Sequence, residues 1–462
     1  MLLLAIPLSP SANVASLQAR RSALDAKLVL YQKSKTNHIQ TLPAEVLTSI
    51  GHLLVGSDSD VALKLAGVSL RWRSIFLDDA KIWSRLKLGK KRYHPKAKAS
   101  WERSKGMLVG LEMEGVPPES VGKVMGMVNA SFGRLKIFRW RVEERCDVGT
   151  ELRRWRSRFG NLRHLRLELW PTGFDGRLAT IDLDMVWDLL AGPCVLETLD
   201  LRNLNTPSIV PPPRIGSIAS IKHLNLSSYT LLNYPTSSPE NDLSHFLDLI
   251  PNLETVSLPN SQGRFIKTPN HRTSDVQMLS LKRLSVLGSA FSPLGPISMP
   301  LLERADFTLL TWPAFTVLIP LDPTTGDPSD VNVRHLTHLN LTRAPIIEGL
   351  VVDYLNLVPT LTHLVLASCN ITNATFESLV LSSEGEGRIP LLEHLDMSYS
   401  AEVTGGPVCR MVASRKGRGR DGRGLRSLVL DGCPLIEVKA VDWLMAKVER
   451  FSCKIVLEKK KG

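Results

Sequence analysis

A six-residue pattern of apolar positions, leucine-x-x-leucine-x-leucine, recurs along most of the chain. It is clearest as Leu336–Leu341, Leu361–Leu366, Leu392–Met397 and Leu425–Leu430, and further copies start at Leu108, Leu135, Leu162, Leu196, Ile221, Leu253, Leu281 and Leu302. The starts run from 108 to 425, a mean period of about 29 residues. Strand side chains alternate between faces, so the fourth and sixth positions of the phrase point together and are predicted to be core. The fifth and seventh point the other way. Between copies lie stretches with helical apolar spacing, as at Met185–Leu190, Leu243–Ile250 and Val441–Val448, and Pro251-Asn252 punctuates one of them.

A strand-plus-helix unit of this length cannot bury its own apolar face, so neighbouring copies must stack. The fold class expected is α/β, with parallel strands on a concave side and Leu199, Leu224, Leu339, Leu364 and Leu395 in one ladder. The phrase resembles that of irregular leucine-rich repeat proteins, which implies a solenoid of about twelve repeats over residues 89–462. The Asn or Cys that usually follows the phrase stands only at Cys369-Asn370 and Cys433, both read as small buried repeat residues.

The first 88 residues lack the phrase. Residues 1–40 are read as an N-terminal arm: the apolar run Leu2–Leu8 has no basic segment before it, against a secretory leader. Leu17, Leu24, Leu28 and Tyr31 form a helical stripe, expected to pack on its own chain. Residues 41–88 change character. Pro43 suits a first helical turn, Glu45 sits near its positive end, and Val46, Leu47, Ile50, Leu53 and Leu54 form one apolar face. A turn follows, then a helical stretch with Val61, Leu65 and Val68 inward, then Arg71-Trp72-Arg73 and a segment ending at Trp83. The order Leu42-Pro43-x-Glu45, then Val68-Ser69 before Trp72-Arg73, then Ile82-Trp83, resembles an F-box, the helical module that docks a substrate receptor onto the Skp adaptor of a cullin (SCF) ubiquitin ligase. That resemblance implies that Leu42, Pro43, Val46, Leu47 and Ile50 meet the adaptor, while Val68, Trp72 and Trp83 hold the module together. Gly51 departs from the family, which has a bulky apolar residue there, and costs about 1 kcal/mol of helix propensity. A generic three-helix element is the alternative reading. From Trp83 the stretch WSRLKL reads as an incoming strand.

Composition adds little to the fold and more to the choice of partner. In 462 residues, 43% of them apolar, no apolar run approaches the 18 residues of a membrane helix. Six cysteines are scattered without a CxxC pair, which argues against a zinc site and fits a reducing compartment, cytoplasmic or nuclear. The net charge is +12, and residues 134–166 hold eleven Arg or Lys against four acids. A second basic run covers Lys87 to Lys105. Pro-, Ser- and Gly-rich insertions at Asn205–Ile215, Tyr234–Asn241, Gln262–Ser274, Pro320–Asp330 and Arg415–Gly424 are read as surface loops.

No P-loop, zincin or nucleophile-elbow pattern appears, so a non-catalytic subunit with no cofactor and no metal is expected. His164, His223, His338, His363 and His394 all take the third position of the phrase, the last three in consecutive copies. They are read as histidines tolerated at half-exposed strand positions; a metal site or a pH-sensitive row is the sharper alternative. The fifth and seventh positions place Arg139, Arg141, Arg166 and Arg202 together on the face away from the core, a fit for carboxylate or phosphate groups. The resemblance therefore implies a receptor whose partners are the Skp-type adaptor, the cullin complex and a protein substrate, acidic or phosphorylated. Glu168 and Asp200 are the acids that share those positions and are read as pairing with part of the cluster, and a solvated face satisfied by Glu143, Glu144 and Glu168 competes with the substrate reading. The alternative function is a leucine-rich repeat binding protein outside ubiquitin chemistry that holds nucleic acid through arginines and Trp140, Trp155 and Trp170.

Overall fold

The computed structural model describes residues 10–34, 42–55, 60–89, 93–129, 132–143, 152, 154–155, 159–170, 183–190, 194–202, 216–227, 243–259, 276–287, 297–309, 334–344, 348–417 and 424–454. The Leu2–Leu8 run, Cys146 and nearly all of the expected surface loops lie outside them. Packing divides the chain into two compact units, Met1–Trp83 with Arg103–Lys105, and Ser84–Glu102 with Gly106–Gly462.

In the first unit, helix α1 spans Pro10–Ser34 and is followed by α2 (Ala44–Val55), α3 (Val61–Ala66) and α4 (Leu70–Asp78). The stripe on α1 is not packed as expected: residues 15–27 are all exposed, Leu17 and Leu24 among them. The other three helices close on a small core of Leu47, Val55, Ala62, Trp72, Phe76, Ile82 and Trp83. Trp83 Nε1 donates to the Phe76 carbonyl at 2.8 Å, so its one polar atom is satisfied inside. Ser69 caps α4 by accepting from the Trp72 amide at 3.2 Å.

Two expectations fail here. The apolar residues of α2 do not share one inward face. The buried stripe is Leu47, Gly51 and Val55, at spacings of four, while Leu53 is 80% exposed and Val46 and Leu54 are each 41% exposed. Leu47 is therefore core rather than docking surface. Val68 does not hold the module together, since it is 55% exposed.

The second unit is built on one sheet of 14 strands, all parallel, in chain order except for two short segments set aside. Its strands are β1 (Arg85–Leu88), β2 (Val109–Glu114), β3 (Leu135–Glu143), β4 (His164–Trp170), β5 (Thr198–Arg202), β6 (His223–Ser227), β7 (Thr255–Leu258), β9 (Arg283–Leu287), β11 (Arg304–Thr308), β12 (His338–Thr342), β13 (His363–Val365), β14 (His394–Asp396), β15 (Ser427–Val429) and β16 (Arg450–Ser452). The pair set aside, β8 (Val276–Gln277) and β10 (Ile297–Ser298), forms its own parallel two-stranded sheet. Helices α5 (Tyr93–Arg103), α6 (Pro118–Asn129), α7 (Leu183–Leu190), α8 (Leu243–Asp248), α9 (Glu348–Asn356), α10 (Asn373–Ser378), α11 (Gly405–Ser414) and α12 (Val438–Met445) fall between strands.

The register follows the sequence phrase. Fourth positions pair as Leu199, Leu224, Val256, Leu284, Ala305, Leu339, Leu364, Leu395 and Leu428, each at most 2% exposed. Cys369 and Cys433 are buried as expected. Past the strand ends, Leu309, Arg343, Ser368, Tyr399 and Gly432 all have positive φ, and the amide of each donates to a carbonyl of the next copy. The α10 end is held from outside the helix: the Glu348 carboxylate accepts from the Thr372 and Thr375 amides at 2.9 and 3.1 Å.

The second position of the phrase forms a further row. Arg163, Glu197, Lys222, Glu254, Lys282 and Glu303 alternate in sign from strand to strand, and Glu393, Arg426 and Glu449 resume the alternation. Arg163 meets Glu197 at 2.5 Å, Lys222 meets Glu254 at 3.7 Å, and Arg426 lies between Glu393 and Glu449 at 3.9 and 3.7 Å. Only Thr337 and Thr362 interrupt the alternation between Glu303 and Glu393.

Candidate recognition surface

Three surfaces stand out once the core is accounted for. The first lies on the N-terminal module. Val46, Ile50, Leu53 and Leu54 fall on one side of α2 by helical spacing, and all four retain exposure that a core would have removed. Leu63 on α3, Val68 and Leu70 are also more than half exposed. Of the five residues expected to meet an adaptor, Pro43 and Val46 are exposed, Leu42 and Ile50 are half-buried, and Leu47 is closed off.

The second surface is the outward face of β2 to β5, where the expected arginines do assemble. Arg139 pairs in register with Arg166, and Arg166 with Asp200; one rung on, Arg141 pairs with Glu168, and Glu168 with Arg202. A cavity of about 100 Å3 opens between them, bounded by Glu112, Glu114, Arg139, Arg141, Arg166 and Glu168. The arginines arrive already engaged. Arg141 Nη1 donates to Glu114 at 2.6 Å and its Nη2 to Glu168 at 3.1 Å; Arg166 donates to Glu168 at 2.7 Å. Arg202 donates twice to Asp200, at 2.9 and 3.2 Å. Glu168, only 7% exposed, is thus the acceptor shared by two guanidinium groups. The Arg141 hydrogen bond, followed by that from Lys87, holds the Glu114 carboxyl below the usual range. Arg139 is the exception: it is about half exposed, and Glu112 stands 3.9 Å away. The carboxylates that satisfy this face come from Glu112, Glu114 and Asp200 as well as Glu168. The side chain of Glu143 and all of Glu144 lie outside the described residues.

The tryptophans expected beside those arginines do not face outward. Trp140 and Trp155 are 2% and 3% exposed and pack with Phe138 and Phe159, so neither offers a ring to a base. The side chain of Trp170 is outside the described residues.

The third surface carries three of the third-position histidines. His338, His363 and His394 pair in register on β12, β13 and β14, and their rings stack at 4.0 Å with interplanar angles of 16° and 20°. Thr337 Oγ1 donates to the Glu303 carbonyl and Thr362 Oγ1 to the Thr337 carbonyl, each at 3.0 Å. A hydroxyl has one proton, so the 2.8 Å contacts of these oxygens with His338 Nδ1 and His363 Nδ1 are donated by the rings. In the neutral rings Nε2 is then the unprotonated nitrogen. Burial, then the neighbouring rings His338 and His394, lowers His363 to about 4; burial also lowers His338 and His394. His164 and His223 stand apart, bonded to Thr198 and Thr255 at 3.0 and 2.9 Å. Among the described residues no three His, Cys, Asp or Glu side chains are arranged to hold a metal ion, and no helix is long and apolar enough to cross a membrane. No protein-family model and no curated protein sequence matches this chain.

Proposed function

We propose that this chain is the substrate-recognition subunit of a cullin-type ubiquitin ligase, an F-box module followed by irregular leucine-rich repeats, with no catalytic centre of its own. The observation that carries the reading is the divided character of α2. A helix that needed only to close a three-helix core would keep its large apolar side chains inside, yet here Leu53 and Val46 are left in solvent while a glycine takes the inward position. An apolar face of this kind on a folded module is what docking onto a helical adaptor requires. The contact set proposed is Leu42, Pro43, Val46 and Ile50, extended by Leu53 and Leu54 and without Leu47. The repeat sheet then presents the protein substrate, with the arginine face of β3 to β5 as one place for an acidic or phosphorylated segment. Arg139 is the residue there with most to offer, because its carboxylate partner is distant. The proposed setting is cytoplasmic or nuclear, where such ligases work.

The test is co-purification of the full chain with a Skp-type adaptor. Val46→Asp with Leu53→Asp is expected to abolish adaptor capture while leaving the thermal midpoint within a few degrees, since Leu53 is 80% exposed and Val46 41%, and neither belongs to the buried core of the module. Unchanged capture overturns the reading. Strong salt-dependent binding of RNA or DNA by a chain that ignores the adaptor favours the alternative instead.

A further inference from the structure

Two of the three stacked histidines, His338 and His363, follow Thr337 and Thr362, the residues that interrupt the alternating charges between Glu303 and Glu393, and those threonines bond the two rings. The stack is therefore a locally built feature rather than a scatter of tolerated side chains. Around it, charges are largely matched. Arg304 on β11 donates to both oxygens of Asp306, at 2.6 and 3.2 Å, and Arg426 beside β15 lies near Glu393 and Glu449. Asp396 on β14 accepts from the Ser398 amide, and Arg450 stands on β16. Arg283 on β9, in register with Arg304, is exposed and makes no ion pair among the described residues.

We propose that His338, His363 and His394, together with Arg283, form a proton-linked docking surface for a carboxylate-rich segment of a partner protein. In His338 and His363 the nitrogen left without a proton in the neutral ring, Nε2, is the one that takes up a proton on acidification, and each uptake by a ring of the stack creates a charged donor on the outward face. Two adjacent rings 4.0 Å apart repel when both are charged, so His338 and His394 charge first and His363 stays neutral between them. Partner carboxylates offset that repulsion, and binding then draws in protons. This holds whether or not the N-terminal module docks an adaptor. A metal ion is disfavoured because parallel stacked rings do not converge on a common centre.

The experiment measures binding of a fluorescent ten-residue glutamate peptide to the full chain at pH 7.5, 6.5 and 5.5, with a lysine peptide of equal length as counter-probe. One linked proton corresponds to about tenfold in affinity per pH unit, so the dissociation constant is expected to fall at least about tenfold over this range. In His338→Gln/His394→Gln the fall should shrink to about twofold or less. Arg283→Glu, an exposed change that leaves the stack intact, should weaken the peptide about fivefold or more at each pH, and it serves if the double variant does not fold. The proposal is overturned by an equal pH response in the double variant, by no effect of Arg283→Glu, or by preference for the lysine peptide. Binding of Zn2+ alone at pH 7.5, lost in the double variant and unaccompanied by glutamate-peptide binding, overturns it in favour of a metal site.

Discussion

Gly51 shows how far a single residue can be misread from sequence. On α2 it looks like a gap in an apolar face, yet a Cβ built there would lie 2.4 Å from Phe76 Cε1 and 3.0 Å from Ile82 Cδ1. The position demands close approach, not flexibility. Gly51→Ala is therefore expected to destabilise the module by about 1–3 kcal/mol through overpacking, read as a lower urea midpoint. Its helix propensity alone predicts a gain of about 1 kcal/mol, so the sign of the change decides between the two accounts. The signal that would have found this was present. A helix with apolar residues on two sides needs a way to choose the inward one, and of its two fully apolar stripes at spacings of four, Val46-Ile50-Leu54 and Leu47-Gly51-Val55, only the second has a small residue that lets the bulky Phe76 of α4 approach.

At the scale of elements, the strands were the most legible part of the chain. Fourth and sixth positions of the phrase are buried wherever the described residues include them, the fourth always within a strand and the sixth, at Leu366, Met397 and Leu430, one residue past it, because period-two alternation in a half-buried strand leaves little freedom of register. Leu364, 0% exposed in the middle of the ladder, tests this. Leu364→Ala is expected to cost about 2–5 kcal/mol, measured by denaturant unfolding with an unchanged slope. The strand at the C-terminal edge, β16, was missed because it spells the phrase with Val448, Phe451 and Cys453 instead of leucines. Helix ends were less legible. The last helix spans Val438–Met445 rather than Val441–Val448, and α10 is held at its start by Glu348 from the preceding helix. Such caps cross between copies and leave no local trace. The arginine face was legible in its positions and in two of its partners, Glu168 and Asp200, but not in Glu112 and Glu114, which come from a strand whose register had first to be known.

Across the whole molecule, the histidine stack ties stability to pH. In the unfolded chain these residues titrate near their ordinary value of about 6.5, whereas burial lowers all three in the folded state and takes His363 to about 4. The folded protein thus holds fewer protons than the unfolded chain between those values, and stability falls as pH drops from about 6.5 toward 4. Allowing for solvent screening of these half-exposed rings, the stack should account for about 1–2 kcal/mol of that loss. Urea midpoints at pH 7.5 and 5.0 check this: His363→Gln should lose less on acidification than the parent chain does.

The alternating row at the second position constrains how such a chain can change in length over generations. With Arg163, Glu197, Lys222, Glu254, Lys282 and Glu303 on successive strands of the main sheet, excising the copy that carries Glu197 would set Arg163 beside Lys222, two like charges about 5 Å apart across neighbouring strands. Excising the copies of Glu197 and Lys222 together would set Arg163 beside Glu254 and restore an attractive pair. Duplication obeys the same parity. A change of length by two copies in this region therefore keeps the pairing, whereas a change by an odd number needs a compensating charge reversal at the seam.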